Sequence, residues 1–226
     1  MLKNKKLTLT LIIYFILFYT AWAGFGWLIQ NHILDWTGNN EIVVQTVRSV
    51  IVKNLVWTLP AFILIKHFEN DCYIGLKEMF TTKVKLLDVL PIFIACIIYT
   101  LAGVFKKGDW SIVESFGWSK IIIVLFVGIT EEMVFRGWLL NVTVKNADRE
   151  WKQWIATAVN AVLFLTIHFP IWFYEGVFVR NFQSFAFTSI LILSCMFSWL
   201  FIKTKNILVP IILHMLYDLL VFMFIG

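Results

Sequence analysis

The sequence predicts an all-α fold: a polytopic membrane bundle of about seven transmembrane helices, with six to eight compatible with the pattern. Three observations carry this expectation. Apolar residues make up 60% of the 226-residue chain and charged residues only 15%, against roughly 45–50% and about 25% in soluble domains. Mean hydropathy is +0.83, so too little polar surface exists to cover a globule and most of the apolar surface must meet lipid. Seven stretches approach the about 20 apolar residues that a membrane helix needs. This composition excludes a disordered chain, a secreted disulfide scaffold and a nucleic-acid partner; the partner it implies is the lipid bilayer. No repeat, low-complexity tract or Pro/Gly/Ser linker interrupts the chain, so residues 1–226 read as a single integral membrane domain.

The first span, Leu7 to Ile29, follows Lys3, Lys5 and Lys6. Its Ala21-Trp22-Ala23 segment resembles a signal-peptide cleavage site, but the apolar run continues through Trp27 to Ile29, and the spanning reading is preferred. The second, Val50 to Ile65, is the weakest: Arg48 and Lys53 lie near its start, Pro60 interrupts it, and an interfacial helix from Glu41 is compatible with the preceding residues. The remaining spans are Leu87 to Phe105, Ile121 to Val144, Trp154 to Tyr174, Phe182 to Ile202 and Ile207 to Ile225.

The net charge of +5 reports orientation here. With the N-terminus inside, the cytoplasmic side holds Lys3, Lys5, Lys6, Lys66, Lys77, Lys83, Lys85, Lys145, Arg149, Lys152, Lys203 and Lys205, and the opposite side only Lys106, Lys107, Lys120 and Arg180. That asymmetry predicts the N-terminus in and the C-terminus out, in what the residue usage suggests is a bacterial cytoplasmic membrane. Trp22, Trp27, Trp36, Trp110, Trp118 and Trp172 are expected at the outer boundary and Trp151, Trp154 and Trp199 at the inner one, while Trp57 and Trp138 fit neither. Cys72, Cys96 and Cys195 are far apart without CxxC spacing and read as packing residues.

Ionisable groups inside a membrane helix cost several kcal/mol unless they find partners in the protein interior. They concentrate in three spans. The fourth carries Glu131, Glu132 and Arg136; Glu132 and Arg136 are i, i+4 neighbours, and Glu131 is turned about 100° away. The fifth carries His168 with Pro170 just beyond it, where the helix can be disturbed. The seventh carries His214 and Asp218, again i, i+4. A free glutamate, two histidines and a carboxylate on three helices are what water-mediated hydrolysis requires: a base for water and a donor or metal for the oxyanion. Each element also has a structural reading of its own: His168 as an interhelical hydrogen bond, Glu132 with Arg136 as an ion pair, Asp218 as a support for His214. Phe182, Phe185 and Phe187 read as lipid-facing, and Thr157 with Ala161 as a close helix contact.

At these residues the sequence resembles the CPBP family of intramembrane proteases, the group holding the type II CAAX prenyl endopeptidases and the bacterial relatives called Abi proteins. The family pattern is EExxxR, FxxxH and HxxxN or HxxxD, each on its own helix in that order, and Glu131-Glu132 through Arg136, Phe164 through His168, and His214 through Asp218 match all three. The motif-bearing core is about residues 119–226; the first hundred residues match only in being hydrophobic. The resemblance implies that Glu131 activates water with help from His168, that His214 and Asp218 serve the oxyanion or a metal, and that Glu132 and Arg136 support the first motif. Aspartate in place of asparagine means that Asp218 is protonated, orients His214, or binds a metal, because an ionised aspartate only accepts hydrogen bonds. His168, His214 and Asp218 would suit a divalent ion such as zinc, and the resemblance leaves open whether any metal takes part.

The expected function is thus an intramembrane endopeptidase acting on a membrane-associated peptide or protein. The alternatives are a non-catalytic immunity or interaction protein of the same fold and, from another class, a proton-coupled transporter, for which related halves with broken helices are missing from the sequence.

Overall fold

The computed structural model describes residues 4–33, 40–145 and 147–226; Lys3 and Trp36 lie outside them. Among the described residues the fold is all-helical, without strands. Helix α1 (Lys5–Gln30) begins at Asn4, whose side chain accepts a hydrogen bond from the Leu7 amide at 3.3 Å. The expected interfacial helix and the second span are one element, α2 (Glu41–His67). It tolerates its proline by changing register: it is π-helical over Thr46–Val52 and Asn54–Thr58 and returns to α-helix at Leu59–His67, with Pro60 in the first turn where its missing N–H is harmless.

A short helix, α3 (Glu78–Thr81), and α4 (Leu86–Lys107) follow. Gly108 closes α4 at φ +75°, a left-handed conformation that glycine adopts without steric cost. Helix α5 occupies residues 118–145, α-helical at Trp118–Glu132 and Asn141–Lys145 and π-helical over Met133–Leu140. Then come α6 (Glu150–Thr166), α7 (Phe169–Tyr174), α8 (Phe178–Gln183), α9 (Ala186–Thr204) and α10 (Leu208–Phe224).

Among the described residues five helical stretches are long and apolar enough to cross a membrane: α1, α2, α4, α6 continued by α7 (Glu150–Tyr174), and α9; α10 is a shorter apolar helix. The chain is an integral membrane protein. The expected fourth span differs in kind, because every residue of Met133–Leu140 is buried. It is the axis of the bundle, packed against α2, α6 and α10. Around it gather Tyr14, Phe18 and Trp22 of α1 and Trp57, Ala61 and Ile65 of α2. Asn141 fixes the connection after α2 by donating to the Ile74 carbonyl and accepting from the Ile74 amide, both at 2.9 Å.

Two expectations need correction. Trp22 and Trp172 do not mark a lipid boundary; they are buried at 8% exposure, Trp22 because its indole N–H donates to the Ile167 carbonyl at 3.2 Å. Trp27, Trp110, Trp118, Trp151 and Trp154 are exposed. The sixth span does not start at Phe182: the chain bends at Phe185 (φ +58°), separating α8 from α9. Phe182 stacks with Phe187 and packs against Phe169 and Trp172, whereas Phe185 is exposed. Thr157 and Ala161 are buried where α6 meets α9, as a close helix contact demands. Cys72 and Cys96 are buried free thiols. Burial, reinforced by Asp71 and Glu69, pushes the Cys72 thiol up to about 12, so it remains a neutral packing group.

Candidate active site

The first motif lies where α5 passes from α- to π-helix. Arg136 Nη1 donates to Glu132 Oε1 at 2.9 Å, with both side chains fully buried. Nη2 of the same guanidinium donates to the carbonyl and the hydroxyl of Ser194 on α9, each at 2.9 Å. The rings of Phe164 and Phe197 lie 4.8 and 5.8 Å from the guanidinium carbon. Arg136 is therefore a buried tie between α5 and α9. Nε of Arg136 and Oε2 of Glu132 are buried without a hydrogen-bond partner among the described residues.

His214 on α10 completes this group, its Nδ1 standing 2.8 Å from Glu132 Oε1. One carboxylate oxygen thus meets both a guanidinium and an imidazole. Gly128 makes the approach feasible: a Cβ there would fall 2.8 Å from Met215 Cγ and 3.0 Å from the Ile211 carbonyl oxygen, so only glycine lets α5 and α10 come this close. Asp218 Oδ2 is 3.6 Å from His214 Nε2, an ionic contact slightly longer than a hydrogen bond. The imidazole is held between two carboxylates.

His168 sits in the turn between α6 and α7, with Pro170 in the first turn of α7. Its Nδ1 is 3.0 Å from the Phe164 carbonyl. A carbonyl only accepts, so Nδ1 carries the hydrogen and a neutral ring keeps its lone pair on Nε2. Glu131, His168, His214 and Asp218 lie close enough to interact electrostatically. Residues 113–220, which contain all of them, match the family model of the Rce1-like type II CAAX prenyl endopeptidases. That segment is an Rce1-like family domain. No curated protein and no solved structure matches the chain.

The Rce1-like domain receives one of its contacts from outside the matched segment. Lys53 of α2 extends its Nζ to 2.9 Å from Glu131 Oε1, with both side chains only 7% exposed. The sequence presents Lys53 as a defect in a weak span, and the partnership is not legible there. The available signal is a lysine within an apolar run and, elsewhere, a glutamate with no cation three or four residues away on its own helix. Ser194, which accepts from Arg136, is equally unannounced.

Among the described residues no group of three or more His, Cys, Asp or Glu side chains is arranged to hold a metal ion, and His168, His214 and Asp218 form no such group. His214 is engaged on both ring nitrogens, Nδ1 by Glu132 and Nε2 by Asp218, and the Lys53 ammonium occupies the cation position beside Glu131, whereas His168 keeps its Nε2 free. A cavity of about 910 Å³ lies apart from the Rce1-like motif residues, between α1, α6 and the end of α5, lined by Leu11, Phe15, Leu139, Trp151, Ile155 and Val159 among others.

Proposed function

We propose that the chain is an intramembrane endopeptidase that hydrolyses a peptide bond in a membrane-associated peptide or protein, with Glu131 activating the water. The observation that carries this reading is the polar cluster itself, with Glu131 and His214 buried and His168 and Asp218 partly buried. Three helices of the Rce1-like domain bring Glu131, His168, His214 and Asp218 together in the interior of a membrane protein, where each would be costly without a purpose.

In this mechanism the Glu131 carboxylate takes the proton of a water as its oxygen attacks the scissile carbonyl. His168 assists through Nε2, the nitrogen left free by the Phe164 carbonyl. His214 swings its Nε2–H from the long 3.6 Å contact with Asp218 to the developing oxyanion, while Nδ1 stays held by Glu132. Of the three roles open to Asp218, its position favours orienting His214. Glu132 and Arg136 support the helix packing that positions these groups.

A non-catalytic protein of the same fold is the second reading, and the Lys53–Glu131 pair favours it, because an ammonium already occupies one oxygen of the proposed base. The purified protein, reconstituted in liposomes, separates the two when offered a farnesylated, internally quenched peptide ending in a CAAX sequence and a library of unprenylated quenched peptides. Cleavage by the parent and none by Glu131→Gln supports the peptidase. Binding without cleavage of any probe by the parent supports the non-catalytic reading.

A further inference from the structure

Lys53 is buried and its ammonium is held from three sides. It lies between the two π-helical segments of α2, and its ammonium is 4.9 Å from the Trp22 ring centre and 4.7 Å from that of Trp57. Both rings are themselves tied down. Trp22 donates to the Ile167 carbonyl, one residue before His168, at 3.2 Å, and the Tyr14 hydroxyl donates to the Trp57 carbonyl at 3.0 Å. Two aromatic faces from two helices therefore aim one cation at one carboxylate oxygen. With Oε1 of Glu131 committed to that cation at 2.9 Å, Oε2 is the oxygen left to receive a proton.

We propose that Lys53 is a positioning residue for the hydrolytic site: its ammonium holds the Glu131 carboxylate through Oε1 and thereby presents Oε2 to the attacking water. The assignment rests on Glu131 being the base. It places an essential part of the site on α2, outside the Rce1-like segment at residues 113–220. It also implies that lysine serves this position better than arginine. An ammonium is a single point donor, whereas a guanidinium fork engages both oxygens of a carboxylate and would close Oε2.

The test uses the full chain in liposomes with the internally quenched peptide that the parent cleaves, comparing kcat, KM and melting temperature for Lys53→Arg, Lys53→Met and Glu131→Gln. Lys53→Arg keeps the charge, and its melting temperature reports whether it keeps the fold. It should lower kcat at least tenfold at unchanged KM and melting temperature, the signature of an interaction needed only in the transition state. Lys53→Met should lower kcat by about 10²-fold; if it fails to accumulate, Lys53→Arg decides alone. Parental kcat in Lys53→Arg overturns the positioning role and leaves Glu131 as base if Glu131→Gln is inactive. Parental activity in Glu131→Gln overturns the base itself, and the role of Lys53 with it.

Discussion

Oε1 of Glu132 stands 2.8 Å from Nδ1 of His214 and 2.9 Å from Nη1 of Arg136, so one buried oxygen ties α5 to the helix bearing the third motif. Through the same arginine the tie reaches Ser194 on α9. Glu132 therefore acts as a structural hub, and its adjacent partner in sequence faces a different cation.

Replacing Arg136 by Ala leaves Glu132 in the interior with the His214 imidazole as its remaining partner. Such a break typically costs about 3–5 kcal/mol, and the variant should accumulate poorly and melt early in detergent. Arg136→Lys should recover part of the stability only, because a single ammonium cannot reproduce the fork that meets Glu132 and Ser194 together. A parental melting temperature for Arg136→Ala would refute the hub.

The two glutamates should separate by phenotype. Glu131→Gln should lose about 10²- to 10⁴-fold in turnover, as a missing general base does. From helix geometry alone that variant would be expected to fold normally, but Lys53 modifies the expectation. The amide oxygen still accepts from the ammonium, yet a cation remains without its counter-charge, so a modest loss of about 1–2 kcal/mol is expected. Glu132→Gln should show its main defect in yield and melting temperature. An active but unstable Glu131→Gln beside a stable but inactive Glu132→Gln would reverse the roles.

Gly128→Ala would force a methyl group against the Ile211 carbonyl oxygen, which cannot retreat as the flexible Met215 side chain can. Overpacking of this kind costs about 1–3 kcal/mol. It should also reduce turnover, since Glu132 lies one helical turn beyond and its contact with His214 depends on the approach. Gly137→Ala is the control: its nearest neighbour would be Ile65 Cδ1 at an ordinary 3.5 Å, and stability should stay within about 1 kcal/mol of the parent. Equal melting temperatures for both variants would remove the argument for a close approach at Gly128.

If Asp218 serves to orient His214, an asparagine should do so nearly as well, because its carbonyl oxygen accepts the same N–H. Asp218→Asn should keep turnover within about tenfold of the parent, and Asp218→Ala should lose about 10²-fold or more. Loss of all turnover in Asp218→Asn at a parental melting temperature would show that the charge itself matters.

What could be read from the sequence was what a helix makes periodic. The i, i+4 spacing of Glu132 and Arg136 and of His214 and Asp218 becomes contact because both partners share one helix. Pro170 marks the break beyond His168 for an equally local reason. Contacts between helices carry no such signature. That His214 meets Glu132, that Arg136 reaches Ser194 and that Lys53 finds Glu131 depend on which faces pack, which composition does not encode. The same limit explains Trp22 and Trp172: belt residues and core aromatics are identical in sequence and differ only in what surrounds them. Met133–Leu140 read as one more lipid-spanning stretch because burial in protein and burial in lipid select similar side chains.

The separation of 78 residues from Lys53 to Glu131 also describes a delay. At synthesis rates of about 5–20 residues per second, α2 emerges from the ribosome roughly 4–16 seconds before its counter-charge does. During that interval a lone lysine in an apolar segment bears an insertion cost of about 2.5–3.5 kcal/mol, which favours leaving α2 at the membrane surface. Entry of α5 would then draw α2 into the bilayer, making assembly of the proposed site and completion of the topology one event.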